Sequence, residues 1–524
     1  AAFGPYGLHR DALLYLAMGE HLHLLRMDFP PFIALVARAG RLLGDSLVVI
    51  HLGTALAHGA LTVLAAAFAR RAGGGTRAQL AAAFVVATAP VFMRAGALFQ
   101  PVVFDQLWWT LALFALARIR ANPVRSARDR RRGDSRFGAP HLPRSDGGRW
   151  ALLGVILGLG LLTKFTILVL GAAILVGVAA SPLRRWLATP WPYAAAALAF
   201  LLGAPSITGQ MLLDWPFFTQ LGDLQQAQLS RVSPVSFTLE QLLLVGPAVI
   251  IAVAGAIAVL VRPGDAGLQA VAWAALIAFA LMLLAGGKAY YIAPIWPALL
   301  GLGMAEVERW AQRLREGREE SVMATPPPGS RQPAAGSLGT PGGAPPRRGA
   351  ALAVWGVVVA AIGAFGVIGL PMGLPFLRPA PMARYAAWLG VTEAVTTNEG
   401  ERLPLPQDYA DMLGWEALAD SVVHVYRSLP EEDREAAVIL ATNYGRAGAI
   451  DFYAADEIPH AIAPVGSYWF WGPGDLPGRV TVVVGAEPED LIGEYFEEAT
   501  LAARVRNHWG VPEERDVGIV VARD

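Results

Sequence analysis

The sequence predicts a polytopic α-helical membrane protein with a small C-terminal α/β domain. Three observations lead there. Only 16% of the 524 residues are charged and 55% are hydrophobic, whereas roughly a quarter of a soluble domain is charged. Uncharged apolar runs of about 20 residues, the length that crosses a bilayer core, recur along the chain. From about residue 376 onward the charge density returns to normal, and short β-rich runs alternate with helical ones. An ordinary cytosolic enzyme is thereby excluded. Lys+Arg and Asp+Glu both total 42, so no net field attracts nucleic acid. The absence of Cys excludes disulfides, thiolate chemistry and Cys-based metal sites.

The apolar runs lie at 47–69, 79–98, 102–117, 151–163, 165–180, 191–208, 241–261, 267–285, 290–305 and 350–370. The pair at 151–180 is one apolar stretch interrupted by Lys164. A charge in mid-membrane is costly, so two short helices are expected to meet near the outer surface. Arginines gather after alternate runs, at Arg70, Arg71 and Arg77, from Arg118 to Arg149, at Arg184 and Arg185, at Arg262, and from Arg309 to Arg318. With faithful alternation these fall on one side, which the positive-inside rule makes cytoplasmic. The other side then holds residues 1–46, 209–240, 286–290 and 371–524. The chain begins at Ala1 already on that outer side, which implies a first transmembrane helix ahead of it.

The expected organisation is an outer loop with amphipathic interfacial helices at 1–46, a transmembrane core at 47–309, a linker at 310–349, a last transmembrane helix at 350–370 and an outer α/β domain at 371–524. Residues 121–148 are Arg-rich, and the 310–349 linker carries Pro326-Pro327-Pro328 and almost no large apolar side chains. Both lack the means to bury a core and are expected to be disordered on the cytoplasmic face. Their arginines read as topology determinants or, alternatively, as a lipid-headgroup or nucleic-acid patch. In the tail, Val438–Ala441, Val480–Val484 and Gly518–Val521 read as strands, with a helical stretch expected after Glu487-Pro488-Glu489-Asp490.

The segment from Tyr6 to Pro31 is too polar to span and is expected to lie along the outer membrane surface. Asp11 and Tyr15 are four apart and share a helix face, and Pro30-Pro31 is expected to end that helix. An acid at the water–lipid boundary suits a general base acting on a lipid-borne substrate; it also suits a helix cap or a partner for Arg10. Lys164 and Lys288 are isolated cations at outward ends of apolar runs, and Arg94 lies near the outer end of its own. Each fits a phosphate site or snorkelling to the interface. His9, His21 and His23 read as interface histidines rather than metal ligands. Tyr468, Trp469 and Trp471 fit stacking on a sugar or packing in the small domain.

These residues resemble a family. The Arg10-Asp11 stretch through Pro30-Pro31 resembles the first outer loop of bacterial family 39 glycosyltransferases. Those enzymes have the GT-C fold and are related to dolichyl-phosphate-mannose–protein mannosyltransferases and to the lipid A aminoarabinose transferase. Phe99-Gln100-Pro101-Val102-Val103-Phe104-Asp105 resembles their second acidic loop. Gly158-Leu159-Gly160-Leu161-Leu162-Thr163-Lys164-Phe165 and Gly287-Lys288-Ala289-Tyr290-Tyr291-Ile292-Ala293-Pro294 resemble two further motifs. In the tail, the stretches 407–415, 443–450 and 467–472 are similar to the outer domain of a bacterial branch. Ala12 and Val102 stand where the family commonly carries acids, so the resemblance does not firmly imply a divalent metal.

The resemblance implies inverting transfer of a monosaccharide from a polyprenyl-phosphate donor to an acceptor hydroxyl (on protein, lipid or polysaccharide), outside a bacterial inner membrane. Asp11 is the expected base, with Asp105 the competing acid. Lys288, Lys164, Arg94, Tyr290 and Tyr291 are expected at the donor phosphate. Tyr15, Asp28 and Trp469 are expected at acceptor or sugar. The Ala- and Gly-rich spans are expected to leave a groove for the prenyl chain. A lipid or glycan transporter or flippase also has many spans, though no internal repeat is visible; a non-catalytic glycan-binding homologue is the other alternative.

Overall fold

The structure, a computed structural model, describes residues 4–44, 46–121, 144–227, 229, 232–262, 264–316, 348–391, 395–397, 400–473, 478–493 and 495–524. The expected disorder of 121–148 and of the linker falls largely outside these residues; where the two segments are described, 144–148, 310–316 and 348–349 belong instead to the helices Arg144–Leu161, Trp296–Glu316 and Arg348–Gly373. Among the described residues four helices are long and apolar enough to cross a membrane: Leu47–Arg71, Trp191–Leu212, Ala266–Leu284 and Leu352–Gly373, the last within the helix Arg348–Gly373. Three bent pairs bring the number to 7 if each is one span. Shorter apolar helices cover Val102–Ala117 and Gly147–Leu161. Leu56, Val63, Leu201, Ile250, Ile257, Leu284, Val357 and Val367 are exposed on this helical exterior. A soluble protein does not tolerate so broad an apolar surface; the chain is a multi-pass membrane protein.

Three runs differ from their expected straight spans, each for a visible reason. The run 79–98 bends by 58° between Thr88 and Pro90, where proline cannot continue the helical hydrogen bonding. The run 241–261 is two helices, Pro234–Val245 and Ala248–Val261, bent by 109°. Gly246, at φ 86°, takes a left-handed conformation that side chains resist, and Pro247 follows it. The run 290–305 opens with a 3-10 turn, Ala289–Ile295, before the helix Trp296–Glu316.

Small residues bring the helices close. A Cβ on Gly255 would lie 2.3 Å from the Gly303 nitrogen, and one on Gly203 would lie 2.3 Å from a Leu161 methyl. Contacts this tight between helices are the packing that lipid-embedded bundles favour. At these crossings the glycines close the gap between helices rather than leave a groove there.

The two ends of the bundle differ in chemistry. At one end Arg71 donates to the Ala117 carbonyl at 2.9 Å and to Asp265 at 2.5 Å. Arg309 donates to the Ala72 carbonyl at 2.6 Å, Arg262 pairs with Glu306 at 2.8 Å, and the Trp186 indole donates to the Arg120 carbonyl at 2.9 Å. Members of the arginine clusters that follow alternate runs thus meet at one end. The other end carries the N-terminal helices and the C-terminal domain.

That domain holds a five-stranded sheet of order β2-β1-β3-β5-β4, with β1 Ala437–Ala441, β2 Ala461–Ile462, β3 Val480–Val484, β4 Glu498–Arg506 and β5 Asp516–Arg523. β1 runs parallel to β2 and β3, whereas β5 is antiparallel to β3 and β4. The helical stretch expected after Asp490 is instead a 3-10 turn, Pro488–Asp490, followed by a break at Gly493 (φ 82°) and then β4. Behind the sheet the Arg446 guanidinium donates to Glu514 at 2.9 Å and to the Glu513 carbonyl at 2.7 Å, with Arg446 and Glu514 both buried. Removing one partner of a buried ion pair leaves an uncompensated charge. Arg446→Ala is therefore expected to destabilise the domain by about 3–5 kcal/mol, measured by denaturant unfolding of the detergent-solubilised protein. An unchanged midpoint would mean that Glu514 finds another partner.

The helix Arg10–Glu20 is not laid along a surface. Residues Ala12 to Gly19 are all buried. Gly19 packs on the following helix, Phe32–Arg41, where a Cβ would lie 2.7 Å from that of Ala37. On the other side Gly448 packs on Leu13, its Cβ position 2.9 Å from the Leu13 backbone. The helix ends at Glu20, well before Pro30-Pro31, and Pro31 instead caps the helix Phe32–Arg41. The N-terminal helix is a wedge between the membrane bundle and the C-terminal domain.

Candidate active site

The wedge helix begins on His9, whose Nδ1 accepts the backbone N–H of Asp11 at 3.1 Å. Asp11 therefore stands in the first helical turn, where the helix dipole stabilises a carboxylate. Its Oδ1 accepts the Tyr444 hydroxyl at 2.9 Å and its Oδ2 accepts the Gln100 amide at 3.1 Å. The side chain is still 31% exposed, so a substrate can reach it. Tyr444 comes from the C-terminal domain and Gln100 from the second acidic loop. Three distant parts of the chain thus hold one carboxylate.

His9 is itself buried. Because Nδ1 accepts a hydrogen bond, the ring proton sits on Nε2, which faces Asp408 at 3.8 Å and Asp411 at 3.9 Å. Burial works against the imidazolium, but Asp408, Asp11 and Asp411 outweigh it and raise the His9 pKa. Burial pushes the Asp411 carboxyl up to about 6, against the pull of His9 and Arg10. Asp408 goes the other way: burial opposes its ionisation, yet Arg94 and His9 hold it well below the usual carboxylate range.

The second and third motifs are joined nearby. Asp105, buried in the first turn of Val102–Ala117, accepts the Thr166 hydroxyl at 3.0 Å. The Trp108 indole donates to Thr163 at 2.9 Å. Between Thr163 and Thr166 the chain turns out of helix between Arg144–Leu161 and Ile167–Ala180, carrying Lys164 in the turn. The Lys164 ammonium stands 4.5 Å over the Tyr291 ring and 5.5 Å over that of Tyr290, a cation–π arrangement. Those two rings meet edge to face at 4.7 Å. Lys288 is half-buried just before them; burial lowers its pKa, Tyr291, Asp408 and Asp11 act to raise it, and Lys164 acts with burial. Lys288 thus shares one electrostatic environment with Lys164 and Asp11.

The remaining expected site residues are distributed as follows. Arg94 is taken up by the small domain: it pairs with Asp408, donates to the Met372 carbonyl at 2.9 Å and lies 4.6 Å over the Tyr409 ring. Tyr15 is buried, its ring edge-on to Phe29 at 5.8 Å. Asp28 is buried and accepts the Ser467 hydroxyl and the Gln220 amide, the latter at 3.2 Å; burial raises its pKa against those bonds. Trp469 is 63% exposed on the small domain, while Tyr468 beside it is buried. Gln100, Asp408, Asp411 and Tyr444 are the site groups that sequence reasoning did not single out, and His9, expected as an interface histidine, is instead buried beside Asp11. Those four lie in the motif stretches that carried the resemblance, which was the available signal.

The arrangement is a half-exposed carboxylate supplied with neutral hydrogen-bond donors, in the same field as two ammonium groups at one end of an apolar helix bundle. Superposition on solved structures gives the same architecture. The crystal structure of ArnT from Cupriavidus metallidurans bound to undecaprenyl phosphate matches with a TM-score of 0.57, covering 99% of this chain and 95% of that one at 16% identity. The GT-C fold is therefore the fold of this chain. The apo state of the same ArnT matches equally, at TM-score 0.57 and 15% identity, with 99% and 95% covered. The oligosaccharyltransferase of Archaeoglobus fulgidus in its apo form follows at 0.51 and 13% identity, with 94% of this chain and 68% of that one covered. Residues 142–208 match the sequence profile of dolichyl-phosphate-mannose-protein mannosyltransferases. That stretch of the GT-C frame includes the turn with Lys164 and Thr166. No curated protein sequence matches the chain.

Proposed function

We propose that the chain is a membrane glycosyltransferase that transfers a monosaccharide from a polyprenyl-phosphate donor to an acceptor hydroxyl, with inversion, on the outer side of a bacterial inner membrane. The observation that carries the reading is the gathering of Asp11, Lys164 and Lys288 from three motifs at one end of the bundle. Asp11 removes the acceptor proton as the hydroxyl attacks the anomeric carbon from the face opposite the phosphate. Gln100 and Tyr444 hold the carboxylate toward that hydroxyl. Lys164 and Lys288 take the charge that develops on the departing phosphate, and Tyr290 and Tyr291 fix Lys164 and shield it from water. Asp105, through Thr166, positions the Lys164 turn. Arg94 acts at a distance, by fastening Asp408 and with it the small domain over the site. Trp469, exposed on the small domain, is the residue placed to meet the acceptor, whereas Asp28 and Tyr15 are buried and support the wedge helix and the small domain from within. The lipid in the ArnT crystal structure supports a polyprenyl phosphate as the donor's carrier. No metal is assigned to this step.

The different chemistry of the two ends of the bundle, one collecting arginines and the other this site, supports the outer side for the site. A reporter fused at position 135 or 335 is expected to be active only if it works in the cytoplasm. One fused at 524 is expected to be active only if it works outside. A cytoplasmic signal at 524 would place the site on the wrong side for an externally presented donor. Direct support for the donor would come from undecaprenyl phosphate carrying a photoreactive group, expected to label the parent and to label Lys288→Ala weakly.

A further inference from the structure

A second cluster lies at the far end of the wedge helix, away from Asp11. Glu20 and His21 close that helix, and His460 of the small domain stands against them. One donor atom from each of the three lies within 4.8 Å of the others. The site is built rather than incidental. The His21 ring is stacked on Trp471 at 4.6 Å and 29°. The His460 Nδ1 lies 3.4 Å from Asp451, leaving Nε2 as the ring nitrogen for another bond. Asp451 is buried and held in turn by the Tyr468 hydroxyl at 2.7 Å and the Ala461 backbone N–H at 2.8 Å. A carboxylate on the far nitrogen of a histidine is the outer-shell arrangement that orients imidazole toward a metal.

We propose that Glu20, His21 and His460 bind a divalent transition ion of the zinc class, which pins the small domain to the wedge helix. Two imidazoles and one carboxylate, with water as a fourth ligand, match the donor set that zinc accepts. Tetrahedral ligands at about 2.0–2.2 Å stand roughly 3.4 Å apart, so the three donor atoms, within 4.8 Å of one another, need only a small approach to close on an ion. Arg41 pairs with Glu20; the metal takes one carboxylate oxygen and the guanidinium keeps the other. The ion joins the two bodies that together present Tyr444 to Asp11, but its binding does not depend on what Asp11 does.

The test uses the full chain in detergent micelles, stripped with chelator, loaded with Zn²⁺ and desalted. Elemental analysis is expected to find about one zinc per chain, with a higher melting temperature than the stripped protein. Co²⁺ in its place is expected to give the visible absorption of a tetrahedral nitrogen–oxygen site. His460→Ala and His21→Ala should each lose the retained metal and the Co²⁺ band, whereas His424→Ala, at an exposed histidine elsewhere on the domain, should keep both. Asp451→Asn, which keeps the histidines, should weaken retention about 10–100-fold. A metal-free parent after loading, or equal retention in the His21→Ala/His460→Ala double variant, would overturn the assignment.

Discussion

Asp11→Asn should reduce sugar transfer by about 10²–10⁴-fold, the usual worth of a positioned general base. The substitution keeps the side chain's shape, but an amide cannot take up the acceptor proton. The Tyr444 hydroxyl and the Gln100 amide both donate to Asp11. Asparagine can still accept one of these bonds through its carbonyl, so the wedge and the small domain should stay docked. The loss should therefore appear in kcat, with donor binding and melting temperature near parental values. Single-turnover transfer from a bound donor separates the two contributions. Asp105→Asn is the comparison. Asp105 is buried and bonded to Thr166, so its loss should disturb the Lys164 turn and raise the KM for donor. If Asp11→Asn transfers at the parental rate while Asp105→Asn does not, the base is Asp105.

Lys288→Ala should lower kcat/KM for the donor by about 10–100-fold, since a hydrogen bond to a charged group is worth about 1.5–3 kcal/mol. Lys288→Arg should recover part of that, because the charge remains while the donor geometry changes. The same lysine offers a pH check. Burial and Lys164 lower its pKa, Tyr291, Asp408 and Asp11 oppose them, and the net direction is down. Donor affinity should then fall with rising pH earlier than an ordinary lysine would give, because the ammonium form that binds phosphate is lost sooner. Lys288→Arg should move that fall to higher pH, as a guanidinium does not titrate in the range. An unchanged donor dependence in Lys288→Ala would make the residue a membrane anchor only.

The membrane helices were legible because their signal is local. Leu47–Arg71 and Ala266–Leu284 follow apolar runs that composition alone delimits. The interruption at Lys164 marked a real break because a charge in mid-membrane is costly, and the turn there leaves Lys164 half-exposed between two helices. The 109° bend at Gly246 was less visible, since Gly and Pro are tolerated in spans and only their succession turns the chain. β4 escaped notice because all its residues are exposed or half-exposed and its polar–apolar alternation is broken at Ala502-Ala503, where the pairing register also shifts. The wedge helix was read as amphipathic, but it is buried on both sides by elements that local periodicity does not see.

The site was legible in part for the same reason. Lys164, Lys288 and Asp11 stand out as charges in apolar surroundings. Their partners do not, because Tyr444 is 433 residues from Asp11 and Asp408 is 314 residues from Arg94. Arg94 looked like a lone cation near the end of a span, and its carboxylate belongs to a domain at the opposite end of the chain. Contacts of that range are specified by the closure of the small domain on the bundle, not by any spacing along the sequence.

The most direct measurement is transfer itself, with the parent and Asp11→Asn reconstituted in liposomes that hold a radiolabelled polyprenyl-phosphate monosaccharide and a membrane extract as acceptor. The account predicts that the parent moves label from the lipid to a hydroxyl-linked product and releases polyprenyl phosphate. It also predicts that Asp11→Asn holds the donor but moves about 10²–10⁴-fold less. A parent that leaves every monosaccharide donor intact, or carries the whole lipid across the bilayer without breaking the sugar–phosphate bond, would contradict it.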